Sequence, residues 1–267
     1  MKRMVCAAAI AASLLAPAVL AADAKEKPQW EFGAGVGGQY LPDYRGSDRY
    51  RGLALPFPMF RYKGDFLKVD EESVRGEFFS SDRVQLNISA DTALVIGADD
   101  NELREGMPDL LPAFEVGPSV IVNLAGDESV GKWTLHLPLR IIGATDLSKA
   151  ESVGLVFNPS IAYERKKWLR DWNWLARFGL LFGDSDYHSY YYAVESQYET
   201  EQRAAFDVDG GFSGAVFKFS LRKRVGQLWM GGTARYDYLA NAEFVDSPLL
   251  ERESSFALTF GVGWFFK

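Results

Sequence analysis

Apolar and polar residues alternate with a period of two along most of this chain, and few folds tolerate that pattern from end to end. At the C-terminus Phe256, Leu258, Phe260, Val262, Trp264 and Phe266 share one face, and Ser255, Ala257, Thr259, Gly261 and Gly263 share the other. Between 84 and 96 the face of Val84, Leu86, Ile88 and Leu94 opposes Arg83, Gln85, Asn87 and Asp91. Trp133, Leu135, Leu137 and Leu139 oppose Thr134, His136 and Arg140. Phe217, Phe219 and Leu221 oppose Lys218, Ser220 and Arg222. In extended backbone successive side chains point to opposite sides, so these segments are strands with two unlike faces. Past residue 22 no run of about 18 apolar residues offers a spanning helix.

Two all-β architectures fit. A soluble barrel or sandwich turns the apolar face inward; a membrane barrel turns it outward and keeps a polar, glycine-tolerant lumen. The alternating segments run about 10 to 14 residues, longer than ordinary strands and enough to span a bilayer when tilted. Aromatics gather near their ends, as at Trp30, Tyr40, Tyr62, Trp168, Trp172 and Trp174, where interfacial girdles belong. The pattern therefore predicts an antiparallel transmembrane β-barrel. Strands are expected at 30–40, 51–63, 65–79, 83–96, 113–125, 132–143, 152–166, 173–183, 187–198, 211–225, 227–240 and 254–267. That makes twelve, or ten if the irregular 65–79 and 187–198 are not strands. An even count leaves both barrel ends on the periplasmic side.

The first residues form an address. Lys2 and Arg3 precede an apolar run over 5–15, then Pro17 and the small residues Ala18, Ala21 and Ala22. This is a signal peptide over 1–21, with cleavage after 21 or 22, followed by a single barrel domain over 22–267. Cleavage removes Cys6, the one cysteine, so no disulfide is expected. A net charge of -7 argues against a nucleic-acid partner, and with two histidines there is little material for metal chemistry. No spacing of His, Asp and Glu suggests a metal or cofactor site; Asp99-Asp100-Asn101 lacks the rest of a calcium loop. Polar residues expected to face the lumen are Arg83, Gln85, Asn87, His136, Arg140, Lys218, Arg235 and Asp237.

His188-Ser189 suggests a catalytic pair only if both share a face. In a strand they do not, so an interfacial histidine among tyrosines is the expectation and catalysis is not. GAGVGG at 33–38 opens no helix and is read as wall glycines that leave room for neighbouring side chains. Lys166-Lys167 and Arg222-Lys223-Arg224 end strands and either snorkel at the membrane edge or meet lipopolysaccharide phosphates. The acidic stretch 184–209 is read as solvated loop charge.

Several stretches resemble the MltA-interacting protein (MipA/OmpV) family of outer-membrane proteins. They are GAGVGGQY at 33–40, LPDYRGS at 41–47, LPFPMFRY at 55–62, NELREGM at 101–107, EVG at 115–117, YYAV at 191–194 and YLANAEFVDSPL at 238–249. The matched motif positions include Asn101, Leu103, Gly106, Met107, Glu115, Gly117, Ser247 and Pro248. The resemblance implies an outer-membrane barrel embedded in lipid and lipopolysaccharide. It also implies a non-catalytic scaffold for a lytic transglycosylase and a murein synthase in peptidoglycan remodelling. Other members are porin-like, so a small-solute channel is the alternative, and an outer-membrane lipid hydrolase the remote one. The sequence ends on Lys267, with Phe266 penultimate, a departure from the terminal aromatic that barrel assembly usually reads.

Overall fold

A computed structural model describes residues 29–64, 66–69, 74–93, 101–127, 130–145 and 150–266. The expected signal peptide, Asp99, Asp100 and Lys267 lie outside them. The described strands are β1 (Gln29–Pro42), β2 (Tyr50–Lys63), β3 (Leu67–Val69), β4 (Val74–Ser80), β5 (Val84–Ala93), β6 (Ala113–Asp127) and β7 (Gly131–Thr145). They continue as β8 (Ala150–Phe157), β9 (Ser160–Trp168), β10 (Trp172–Gly183), β11 (Gly211–Val225), β12 (Leu228–Tyr238) and β13 (Ser254–Phe265). Each pairs antiparallel with its neighbours, and β13 returns to β1 from Tyr40↔Leu258 to Gly33↔Phe265, which closes the sheet.

β8 and β9 are two halves of one stave, since both lie between β7 and β10. The break falls at Asn158-Pro159, where proline has no N–H for the ladder. Asn158 Nδ2 donates to Leu180 O across the gap at 2.8 Å. Counted by staves the barrel has 12 strands.

Two segments differ from the sequence expectation, and the differences offset in the count. The stretch 65–79 holds two staves, β3 and β4, which pair with each other at Leu67↔Gly76 and Val69↔Val74. The stretch 187–198 is no strand: Ser185–Tyr192 form helix α1. Asp184 caps it, accepting from Tyr187 N at 2.9 Å, and Asp186 sits in the first turn where the helix dipole favours an acid.

The apolar face points outward. Phe260 is 64% exposed and Phe178 55%, whereas Ser255, Ser119 and Asn87 on the inner face are 5% exposed or less. On the outer surface Trp133, Tyr163, Trp174 and Phe219 touch ring to ring across four staves, forming part of an interfacial girdle. No described helix is long and apolar enough to cross a membrane; the strands make the crossing. Among the described residues, the short turns 81–83, 169–171 and 226–227 share the end where the barrel starts and finishes. The connecting segments 43–49, 101–112, 184–210 and 239–253 meet at the other. Short turns face the periplasm in outer-membrane barrels.

Candidate functional site

The long connections fold into a lid over one mouth. Tyr44, Leu110, Tyr192, Leu239 and Phe244 bury themselves against Ile142, Val153, Leu181 and Val216 of the wall. Tyr192 lies flat on Phe244 with ring centroids 3.6 Å apart. Loop backbone inside such a core needs partners, and polar side chains supply them. Asn101 caps the short turn Glu102–Arg104 through Leu103 N, and its Nδ2 donates to Asp43 Oδ2 at 3.1 Å. Arg104 donates to Tyr191 O, and Ser247 Oγ donates to Tyr192 O at 2.6 Å. Tyr192 Oη in turn donates to Arg45 O at 2.8 Å. Arg203, 5% exposed, donates to the carbonyls of Tyr198, Leu103 and Glu105 and so clips two connections together.

Beneath the lid lies a cavity of 310 Å³, lined by Tyr44, Arg45, Tyr187 and Tyr191 above and by Gln39, Glu115, Arg140, Lys218, Arg235 and Asp237 on the wall. Asp237 is gripped from two sides. Arg45 Nε reaches its Oδ1 at 2.7 Å from the lid, and Arg235 takes both oxygens at 2.7 and 2.8 Å from the same strand. Arg45 also donates to Ser213 O at 2.8 Å. Opposite, Arg140 pairs with Glu115 at 2.9 Å and reaches Ser89 Oγ at 3.3 Å. Lower in the barrel a second cavity of 470 Å³ is lined by Leu53, Leu55, Phe57 and Trp229. Glycines of the wall make room for inward side chains: a Cβ at Gly35 would sit 2.8 Å from the Phe57 ring, and one at Gly263 would sit 2.0 Å from Met59 Sδ.

The proposed lumen residues do not all fall in one place. Arg140, Lys218, Arg235 and Asp237 line the upper cavity. Gln85 and Asn87 lie on inward positions of β5, and Asn87 is 3% exposed. His136 sits mid-wall, hydrogen-bonded to Thr134 Oγ1 at 2.9 Å, with Arg75, Lys132, Arg140 and Arg177 acting on it electrostatically. Arg83 is not in the lumen. It stands exposed in the turn before β5, because the strand starts one residue later.

Of the motif positions, Asn101, Leu103, Gly106, Met107, Ser247 and Pro248 lie in the lid, with Gly106 at φ +79°. Glu115 faces the cavity, and Gly117 sits in the β6–β7 contact. Sequence reasoning did not single out Arg45, Asp43, Arg104, Arg203 or Tyr192. The one available signal for the first two was their place in the LPDYRGS stretch.

His188 is the clearest correction. It is neither interfacial nor on a strand but on α1, and 0% exposed. Its Nδ1 lies 2.7 Å from Asp209 O, which only accepts, so Nδ1 carries the proton. Nε2 therefore accepts from Ser213 Oγ at 2.5 Å. This is the arrangement of a serine nucleophile and its base, yet Ser213 is also 0% exposed and Phe244 covers the imidazole edge to face at 5.1 Å. Both side chains are closed to solvent, and the pair braces α1 against β11. Among the described residues no three His, Cys, Asp or Glu side chains gather in a metal-binding group.

A closed barrel with its lipid-facing band outward, carrying these motifs in this order, agrees with the family comparison. A family model described as MltA-interacting protein MipA matches residues 34–266. This chain belongs to the MipA family. It is an outer-membrane β-barrel protein. Among solved structures, outer-membrane expressed OmpT of Vibrio cholerae is 9% identical, covering 90% of this chain and 97% of that one at a TM-score of 0.30. OccK5 (OpdH) of Pseudomonas aeruginosa is 10% identical, covering 90% and 99% at a TM-score of 0.24. Likenesses that low carry no argument about function. No curated protein sequence matches the chain. The MipA motifs, seen in the fold, build the lid and its seat on the wall.

Proposed function

We propose that this MipA-family barrel is a non-catalytic outer-membrane anchor whose periplasmic turns dock a lytic transglycosylase, and with it a murein synthase. The observation that carries this reading is a pair of apolar tips. Val130 and Leu169 cap turns that stand side by side, since β7 pairs with β9, and they are 62% and 67% exposed. Turn tips ordinarily carry Gly, Asn, Asp or Ser, and paired apolar tips at a water-facing end suit a protein contact.

The second turn is held in an unusual shape. Lys167, Arg170 and Asp171 have φ of 50°, 56° and 63°, a left-handed conformation that costs non-glycine residues about 1–2 kcal/mol each. Lys223 Nζ braces the turn by donating to Arg170 O at 2.6 Å. The family description names MltA as the interacting partner, which the resemblance makes a lytic transglycosylase. The inaccessibility of His188 and Ser213 supports a role without catalysis. The polar lumen favours a channel, but the packed lid in the mouth weighs against steady conduction.

The test is retention of purified transglycosylase on immobilised, detergent-solubilised barrel. Wild type and the lid variant Ser247→Ala are expected to retain it, and Val130→Asp/Leu169→Asp to lose at least tenfold. Retention by the double variant overturns the docking face. No retention by wild type overturns the scaffold itself.

A further inference from the structure

We propose that the lumen holds one anionic amphiphile, its headgroup beneath the lid and its hydrocarbon chain in the lower half of the barrel. The site is separate from the periplasmic docking face and does not depend on it. The two lumen cavities, of 310 and 470 Å³, adjoin, because Gln39, Thr233 and Thr259 line both. Their chemistry differs sharply.

The upper cavity is basic. Arg45, Arg140, Lys218 and Arg235 face it, against Glu115 and Asp237. Asp43 at its edge is already held by Arg51 at 2.6 Å, so among these described side chains the cations outnumber the acids. One donor is left over: Arg45 Nη1 is buried and has no hydrogen-bond acceptor among the described residues. Buried guanidinium donors are rarely left unmet, and a carboxylate or phosphate oxygen fits that need.

The lower cavity is mostly apolar. Leu53, Leu55, Phe57 and Trp229 face it, the Phe57 and Trp229 rings lying over Gly37, Gly231 and Gly261; its one charged lining residue, Arg222, is paired with Glu164. Leu55 is 50% exposed although it points away from lipid. A small inorganic anion would leave this surface wet, and a neutral lipid would leave Arg45 Nη1 unmet. A ligand with an acidic head and an alkyl chain satisfies both halves, in a space of the size usual for small-molecule sites.

The experiment uses the full exported chain, refolded into lipid nanodiscs and shown to be folded by heat-modifiable mobility. Dodecanoate, dodecanol and inorganic phosphate are titrated separately by calorimetry. Dodecanoate is expected to bind one per barrel, at least tenfold more tightly than either of the others. Lys218→Gln should weaken dodecanoate about tenfold and leave dodecanol unchanged. Leu55→Trp, which fills the lower cavity, should weaken dodecanoate by a similar factor. Equal affinity for dodecanol and dodecanoate overturns the headgroup site. Phosphate binding as tightly as dodecanoate reduces the site to one for small anions and overturns the proposal. Undiminished dodecanoate binding by Leu55→Trp places the ligand on the outer lipid-facing band and overturns it too.

Discussion

A Cβ built at Gly117 would lie 2.0 Å from the Leu139 carbonyl oxygen, on the strand across the ladder. Nearby, Pro118 and Pro138 deprive both strands of donors, and the β6–β7 ladder is interrupted between Val116↔Ile141 and Ser119↔Pro138. Glycine lets the two backbones close over that gap. Gly117→Ala must push them apart and is expected to cost about 1–3 kcal/mol, as overpacking does elsewhere. The check is a lower midpoint for loss of the folded band when unboiled samples are heated stepwise before electrophoresis. At this scale the sequence displayed the motif residues but not their duties. Asn101 and Ser247 look like ordinary loop residues until the Asp43 carboxylate and the Tyr192 carbonyl they serve arrive from segments far away in the chain, and Leu103 does until the Arg203 guanidinium reaches its carbonyl.

At the scale of the element, α1 shows how period two can mislead. The run Tyr187 to Tyr192 is aromatic enough to pass for a girdle strand, and only Asp184 and Asp186 signalled a helix start. What decides the matter is burial: Tyr187, His188, Tyr191 and Tyr192 all enter the lid core. Burial lowers the His188 pKa, opposed in part by its hydrogen bond to the Asp209 carbonyl. The folded lid thus binds fewer protons at this site than the unfolded one. Its contribution to stability is complete above the ordinary value of 6.5 and is lost as pH falls below it. Amide exchange across Ser185–Tyr192, corrected for intrinsic rates, should show less protection at pH 5 than at pH 7.5. His188→Gln should flatten that difference. Protection unchanged between the two pH values would sink the idea.

For the whole molecule, Asp237 joins lid to wall, since Arg45 comes from the lid and Arg235 from the stave. Removing one charge from a buried cluster leaves the others uncompensated, at about 3–5 kcal/mol. Asp237→Asn is therefore expected to free the lid while the twelve-stave wall persists. Planar-bilayer recordings should be silent for wild type and show open events for the variant. A wild-type barrel that conducts steadily would mean the lid does not seal the mouth.

The sequence by itself determined the strand faces, the closed all-β class and the lipid-facing direction of the apolar face. The faces follow from local periodicity and the outward direction from segment length and the aromatics at segment ends, all of which a chain carries residue by residue whatever its distant contacts. Even the strand number came out right for a partly wrong reason, with β3 and β4 standing in for the helix. Only the tertiary structure decided that the long connections form a lid, that His188 meets Ser213 rather than its neighbour Ser189, and that Arg45 meets Asp237 from 192 residues away. Those pairings depend on which segments the closed barrel brings to the same mouth, and no local spacing encodes that.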